Sequence, residues 1–216
     1  MLGPWKNATR WFFEQSAWRG LRYRGLRIGK NPLDLWIYAE LIARVRPTLI
    51  VEFGTMCGAS GLFFCHQLDL IGDPAAQLIS VEQSHRHTPP VHPRATWLKG
   101  KVLDPHIEAA VRAAAAASPG PVLISEDSFH EPNHVFAVLE KYSDLVTPGS
   151  YFVVEDGVLD HVMGQRDRAP FSAIQRFLET PRGRAYAPDR YCERFGITFH
   201  PDGWLCRKPE NSSGAS

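Results

Sequence analysis

No stretch of this 216-residue chain reaches the roughly 18 uninterrupted apolar residues that a membrane helix needs, so no membrane partner is expected. The opening MLGPWKNATRWFFEQ also lacks the long apolar core and small-residue cleavage site of a secretory signal, and the expected location is the cytoplasm. An excess of either charge is missing: 24 Lys and Arg stand against 23 Asp and Glu, a formal net charge of +1, which gives no ground for a nucleic-acid partner. Cysteine is scarce. Cys57, Cys65, Cys192 and Cys206 form neither a CxxC pair nor a zinc spacing, and are expected as reduced, largely buried thiols.

What is present reads as one globular domain with an N-terminal extension. Hydrophobic residues at 44% and charged residues at 22% lie close to the globular average. Residues 1–30 carry seven cations (Lys6, Arg10, Arg19, Arg22, Arg24, Arg27, Lys30) against one acid, Glu14, interleaved with Trp5, Trp11, Phe12, Phe13, Trp18 and Tyr23. Two readings of this arm stay open: a lid or interface segment, with a homo-oligomer formed through it, or an aromatic-anchored arm with a solvated basic face. Residues 31–208 form the main domain, and 209–216 a polar tail.

Asn31-Pro32, with Asp34 in the first turn, predicts a capped helix running to about residue 43. Strands are then predicted over 48–53, 77–82, 95–98, 121–125 and 151–154, alternating with helices over 59–70 and 105–117 and with a helix face made by Val135, Val138, Leu139 and Tyr142. Such alternation implies a mostly parallel α/β sheet covered on both faces. After a helix near 171–180, short strands over 194–199 and 204–207 flank His200-Pro201-Asp202-Gly203, a turn signal, and predict a closing hairpin.

In such a sheet ligands bind beyond the carboxyl ends of the strands. The first such place is VEFGTMCGAS, where Gly54, Gly58 and Gly61 are spaced by four and three, not the two and three of a dinucleotide fingerprint. Glu52 at the strand end would repel a pyrophosphate and attract an ammonium, as S-adenosylmethionine carries. Ser60 at the helix start suits a carboxylate, and Glu82, ending LISVE, suits a ribose diol. A third strand end, ISEDSFHEP, places two acids, a phenylalanine and a histidine together.

NPLDLWIYAELIARVRPTLIVEFGTMCGAS, LISVEQ, EDSFH, LVTPGSYFVVED and FHPDGWLCRK resemble the cephalosporin hydroxylase and rhamnosyl O-methyltransferase-like family over residues 18–208, and the glycine turn is similar to that of catechol-type O-methyltransferases. The resemblance implies the seven-stranded class I methyltransferase (Rossmann-like) sheet and methyl transfer from S-adenosylmethionine to a small acceptor such as a sugar or natural-product intermediate. By the same resemblance Glu52, Gly54, Met56 and Ser60 would hold the methionine part, Glu82 the ribose, and Gly100 and Lys101 would meet the adenine. The pattern of two His and one carboxylate that holds an oxygen-activating iron is missing, so the name "hydroxylase" carries no chemistry here.

Relatives place Asp-Ser-Asp-His after the fourth strand, and the second aspartate, with an acidic pair after the fifth, coordinates magnesium. Here the stretch is Asp127-Ser128-Phe129-His130, with Glu155 and Asp156 as the later pair. A metal-free protein is the favoured expectation, with Phe129 packing on the acceptor and Glu155 or Asp156 bonding its hydroxyls; were magnesium held, Asp127, Glu155 and Asp156 would be its ligands. His130, ordinarily titrating near neutrality, is the expected general base, with Asp127 orienting it. The alternative is a non-catalytic or repurposed S-adenosylmethionine binder.

Overall fold

The structure is a computed structural model that describes residues 6–84, 87–162 and 170–209. In chain order the elements are α1 (Lys6–Glu14), β1 (Arg22–Tyr23), β2 (Leu26–Arg27), α2 (Pro32–Val45), β3 (Leu49–Phe53), α3 (Ala59–Ile71), β4 (Gln77–Glu82), β5 (Ala95–Lys99) and α4 (Pro105–Ala117). They continue as β6 (Val122–Glu126), α5 (Pro132–Tyr142), β7 (Tyr151–Val154), α6 (Leu159–Val162), α7 (Pro170–Leu178), β8 (Tyr186–Pro188) and β9 (Trp204–Arg207). None of the described helices is long and apolar enough to cross a membrane.

Seven strands form one sheet in the order β5-β4-β3-β6-β7-β9-β8, and β9 runs antiparallel to both its neighbours. This is the class I methyltransferase sheet that the sequence implied. Alternation along each strand divides the core in two. Leu49, Val51 and Phe53 of β3 pack with Ile107 and Val111 of α4, Val138 of α5 and Phe177 of α7. Ile50 points the other way, toward Ile37 and Ile42 of α2 and Phe64 and Leu68 of α3.

The closing strands differ from expectation in one respect. The partner of β9 is Tyr186–Pro188, and residues 194–199 are not a strand. Their backbone is claimed by the start of α2: Asn31 Nδ2 donates to the Ile197 carbonyl at 3.2 Å, and the Phe199 amide donates to Asp34 Oδ2 at 2.8 Å. The turn at 200–203 is present, closed by Gly203 N–H to the His200 carbonyl at 2.9 Å.

The arm is tied to this same corner. Phe12, Phe13 and Trp18 gather round Phe199 with ring centroids 6.0, 5.4 and 5.3 Å away. β1 and β2 pair across Arg24 and Gly25, both at positive φ, the turn that two-residue hairpins favour. Tyr23 then bonds His66 of α3 at 2.7 Å. All four cysteines are free thiols, Cys65 and Cys192 buried, Cys57 and Cys206 half-buried. Beyond Pro209 the polar tail lies outside the described residues.

One glycine shows how tightly the strand ends meet. Gly54 has φ +102, and a Cβ there would lie 2.1 Å from the Asp127 carbonyl oxygen. Gly54→Ala is therefore expected to lower the free energy of unfolding by about 2 kcal/mol or more, combining backbone strain with displacement of the chain after β6. Urea denaturation measures it; an unchanged midpoint would mean that the turn yields without cost.

Candidate active site

A cleft of about 820 Å³ opens beyond the carboxyl ends of β3, β4 and β6, within the size range of ligand pockets. Gly54, Met56, Ser60, Glu82, Gly100, Lys101, Asp127, Phe129, His130 and Asp156 all line it, as do Trp18, Arg27, Ile28 and Gly29 of the arm. The arm thus forms one wall.

On the β4 side, Glu82 Oε2 accepts the Met56 amide at 2.9 Å, a bond that holds the exposed Met56 in a left-handed conformation at the cleft edge. The other carboxylate oxygen has a long 3.4 Å contact from the Ser84 amide. Gly58 precedes α3 without a side-chain cap, so the first amides of that helix are left for a ligand, and Ser60 beside them lines the cleft. Gly100 is required by contact: a Cβ there would approach Ile107 and His106 within 2.8 Å.

Two expected site residues are not in the cleft. Glu52 faces α3 below it, fully buried, with one carboxylate oxygen bonded by Ser60 Oγ and the other by Ser80 Oγ. Burial pushes its carboxyl up, against the pull of the Lys30 charge and the two serines, to about 7. Its place is to hold the α3 start against β4 rather than to meet an ammonium directly. Glu155 is likewise buried beneath the cleft, its Oε1 accepting from Tyr38 and Ser125 at 2.8 Å each and its Oε2 bound by Lys30 at 2.6 Å. Of the acidic pair, Asp156 lines the cleft and Glu155 does not. The reason is parity: residues two apart on a strand share a face, and Val153 and Glu155 point toward α2.

Asp127 sits between the layers. Its Oδ2 accepts from Lys30 Nζ at 2.8 Å, and its Oδ1 pairs with His130 Nε2 at 3.1 Å. His130 Nε2 also lies 3.6 Å from Asp156 Oδ2. Burial alone would raise Asp127, but the Lys30 charge and the bonds from His130 and Lys30 outweigh it and hold the carboxyl well below the usual range. For Asp156, burial and the neighbouring Asp127 charge prevail over His130 and His200, raising it to about 6.

His130 itself departs from the neutral-range titration expected of it. Burial disfavours its charge, yet the Asp127 hydrogen bond and the charges of Asp156, Asp127 and Glu126 together raise it to about 9. At neutral pH it is an imidazolium clasped by two carboxylates. Phe129 stands at the rim, 64% exposed, its ring edge-on to His134 at 5.7 Å. It supplies no oxygen at the position where the resemblance places the relatives' metal-binding aspartate.

Several participants went unread in the sequence. Lys30 was counted with the basic arm, although it is 4% exposed and lies under the cleft. Its one sequence signal is its place directly before the Asn31-Pro32 cap, which fixes the backbone there. His200 accepts the Asp156 amide at Nδ1 (3.1 Å), and its buried Nε2 lies 3.4 Å from Glu155 Oε2 and 3.7 Å from Asp34 Oδ2 without a hydrogen bond to either. Glu126, on the opposite face of β6, is raised by burial to about 8 despite bonds from Ser128.

Because the His130 value in the folded chain lies above its unfolded value of 6.5, the stability that the charged His130 ring contributes is fully present below pH 6.5 and is lost as pH rises through about 9. In wild type the His130 ring is expected to titrate at about 9 by NMR. Asp127→Asn should move that titration downward, since the hydrogen-bonded carboxylate is gone while burial persists. An unmoved titration would show that Asp127 does not set the charge of the ring.

The family model for rhamnosyl O-methyltransferase/CmcI matches residues 15–208. Rhamnosyl O-methyltransferase of Mycobacterium leprae (strain TN) is 30% identical over 204 residues, covering 92% of this chain and 88% of the relative. Among solved structures, an apo structure of CmcI aligns with TM-score 0.70 at 21% identity over 89% of this chain and 78% of CmcI. A CmcI structure with Mg and SAM aligns with TM-score 0.64 at 18% identity over the same shares. The family model spans nearly the whole chain, and the chain belongs to the rhamnosyl O-methyltransferase/CmcI family.

Proposed function

We propose that the chain transfers a methyl group from S-adenosylmethionine to a hydroxyl of a small-molecule acceptor, a sugar or a glycosylated natural product. The observation that carries this reading is the cleft itself, which sets Glu82 and the uncapped start of α3 at one end and the Asp127–His130–Asp156 cluster at the other. On this reading the first end takes the cofactor and the second the acceptor. When bound, S-adenosylmethionine supplies an electrophilic methyl carbon on a sulfonium.

The residues fit that cofactor. Glu82 keeps a carboxylate oxygen with a weak protein contact, suited to a ribose hydroxyl, and the α3 amides suit a carboxylate. Gly54, Met56 and Ser60 border the path between them, and Gly100 and Lys101 close the far side. The Ser60 hydroxyl is committed to Glu52, so its part is played by the backbone. Trp18 and Arg27 line the cleft from the arm, whose aromatic residues pack round Phe199, so the arm is read as an anchored wall of the site.

Magnesium does not fit the donor set equally well. It calls for about six oxygens in near-octahedral array at about 2.0–2.1 Å. Both oxygens of Asp127 and both of Glu155 already have partners, and Phe129 offers none. The acceptor chemistry is therefore assigned to the side chains. His130, held by Asp127 and Asp156, takes the proton as the hydroxyl attacks; Asp156 accepts a second bond from the acceptor, and the Phe129 ring packs on its apolar face.

Calorimetry should detect S-adenosylmethionine binding and no NAD binding. Glu82→Ala should weaken binding of the former by about 1 to 3 kcal/mol, the loss expected for charge-assisted hydrogen bonds. An unaltered dissociation constant would remove Glu82 from the cofactor site.

His130 can accept a proton only when neutral. The rate with a true acceptor should therefore climb about tenfold per pH unit and level off near pH 9, where the ring loses its charge. His130→Ala should reduce turnover on the order of 100-fold with cofactor affinity retained. A limb centred near 6, the Asp156 value, would assign the base to Asp156 instead.

A further inference from the structure

We propose that Lys30 is the resident cation of the acidic strand ends: its ammonium, in place of a divalent metal, binds Asp127 and Glu155 together beneath the cleft. Nζ lies 2.8 Å from Asp127 Oδ2 and 2.6 Å from Glu155 Oε2, so one charge bridges the carboxylates that follow β6 and β7. Both contacts are in hydrogen-bond range, and the side chain is 4% exposed. An ion entering between these oxygens would have to displace that ammonium.

The chain holds Lys30 there from both sides in sequence. Gly29 before it takes φ +62, and Asn31 after it caps α2 by accepting the Leu33 amide at 3.1 Å. The same Asn31 donates to Asp34 at 3.0 Å and to the Ile197 carbonyl at 3.2 Å. The lysine thus projects from a pinned backbone, not from a loose arm.

The remaining candidate ligands close on one another. Donor atoms of Asp127, His130 and Asp156 lie within 4.8 Å of each other, a grouping that could hold an ion. Yet the imidazole already occupies the space between the two carboxylates, 3.1 Å from one and 3.6 Å from the other. Lys30 holds the inner oxygens of Asp127 and Glu155, and His130 stands between the outer oxygen of Asp127 and Asp156. Removing the lysine charge would leave Glu155 and the inner oxygen of Asp127 facing each other with only His130, on the far side of Asp127, to offset them, an unfavourable state that a dication would relieve.

The test is a titration with Mn2+ alone, reading free Mn2+ by electron paramagnetic resonance and the melting temperature in parallel. Lys30→Met, of similar length without the charge, is expected to bind Mn2+ at least about tenfold more tightly than wild type, and Mn2+ should raise the melting temperature of the variant but not of wild type. Adding Asp127→Asn to Lys30→Met should abolish the gain. Wild-type binding as tight as that of the variant, or a gain that survives Asp127→Asn, overturns the proposal.

Phe129 is exposed, so Phe129→Asp keeps the proposal decidable should Lys30→Met fail to fold. That variant restores the missing oxygen with Lys30 in place, and it is expected to show no saturable Mn2+ binding; a tight site there would show that the acids are set for a metal after all. None of these readings uses turnover. S-adenosylmethionine binding by the same preparations tests the proposed function separately.

Discussion

Two parallel strands that lie side by side bring the residues after them side by side, and in this chain β6 and β7 are each followed by an acid pointing to the same face. β6 and β7 are in register from Ile124 with Phe152 to Glu126 with Val154, which places Asp127 beside Glu155. Like charges in so buried a place cannot both remain ionised without a counter-ion. Lys30 provides it, and its own charge is fixed well above the usual range because Asp127, Glu155 and Glu52 together outweigh its burial. From this one ammonium the placing of the arm follows. The last residue of the arm is part of the core, the α2 cap comes next in the chain, and residues 27–29 are drawn along the cleft wall.

The same face continues upward into the chemistry. Lys30 holds one oxygen of Asp127, leaving the other for His130, and His130 reaches on to Asp156. Charge therefore alternates from the buried floor to the cleft: ammonium, carboxylate, imidazolium, carboxylate. Each member stabilises the charged form of the next, which is why the histidine is raised while Asp127 is lowered. A base tuned in this way is stronger once deprotonated but less populated at neutrality, a trade that follows from the cluster and not from the residue type.

Much of this was legible in the chain. Alternating strand and helix patterns give the sheet, the glycine spacing argues against a dinucleotide, and ten of the twelve residues named for the site line the cleft. Glu52 and Glu155 escaped because a strand-end position says that a side chain is near the cleft, while the parity of the strand and the presence of Ser60, Ser80, Tyr38 and Lys30 decide that it lies beneath. The strand at Tyr186–Pro188 was missed for a related reason: residues 194–199 have strand composition, but contacts with Asn31 and Asp34, more than 160 positions away, take their backbone. Lys30 was the least legible of all. A basic residue in a basic stretch gives no local sign that it is buried.

The exchange of an aspartate for Phe129 gains meaning beside Lys30. A dication bound at the cleft floor would face the acceptor directly and fix its hydroxyls by coordination. A lysine behind Asp127 does neither, since Asp127 stands between it and the cleft. On this reading the cation supports the acids, and orientation of the acceptor passes to shape. Phe129, Met56 and Trp18 present apolar surface in the lining of the cleft, the first two exposed, while Asp156 and His130 present polar groups. Apolar walls with a few placed polar groups select a ligand by its outline as much as by its hydroxyls. A sugar offers such surface on the C–H face of its ring, and under the proposed function the ring of Phe129, where the family resemblance would place an aspartate, is the group set to meet it.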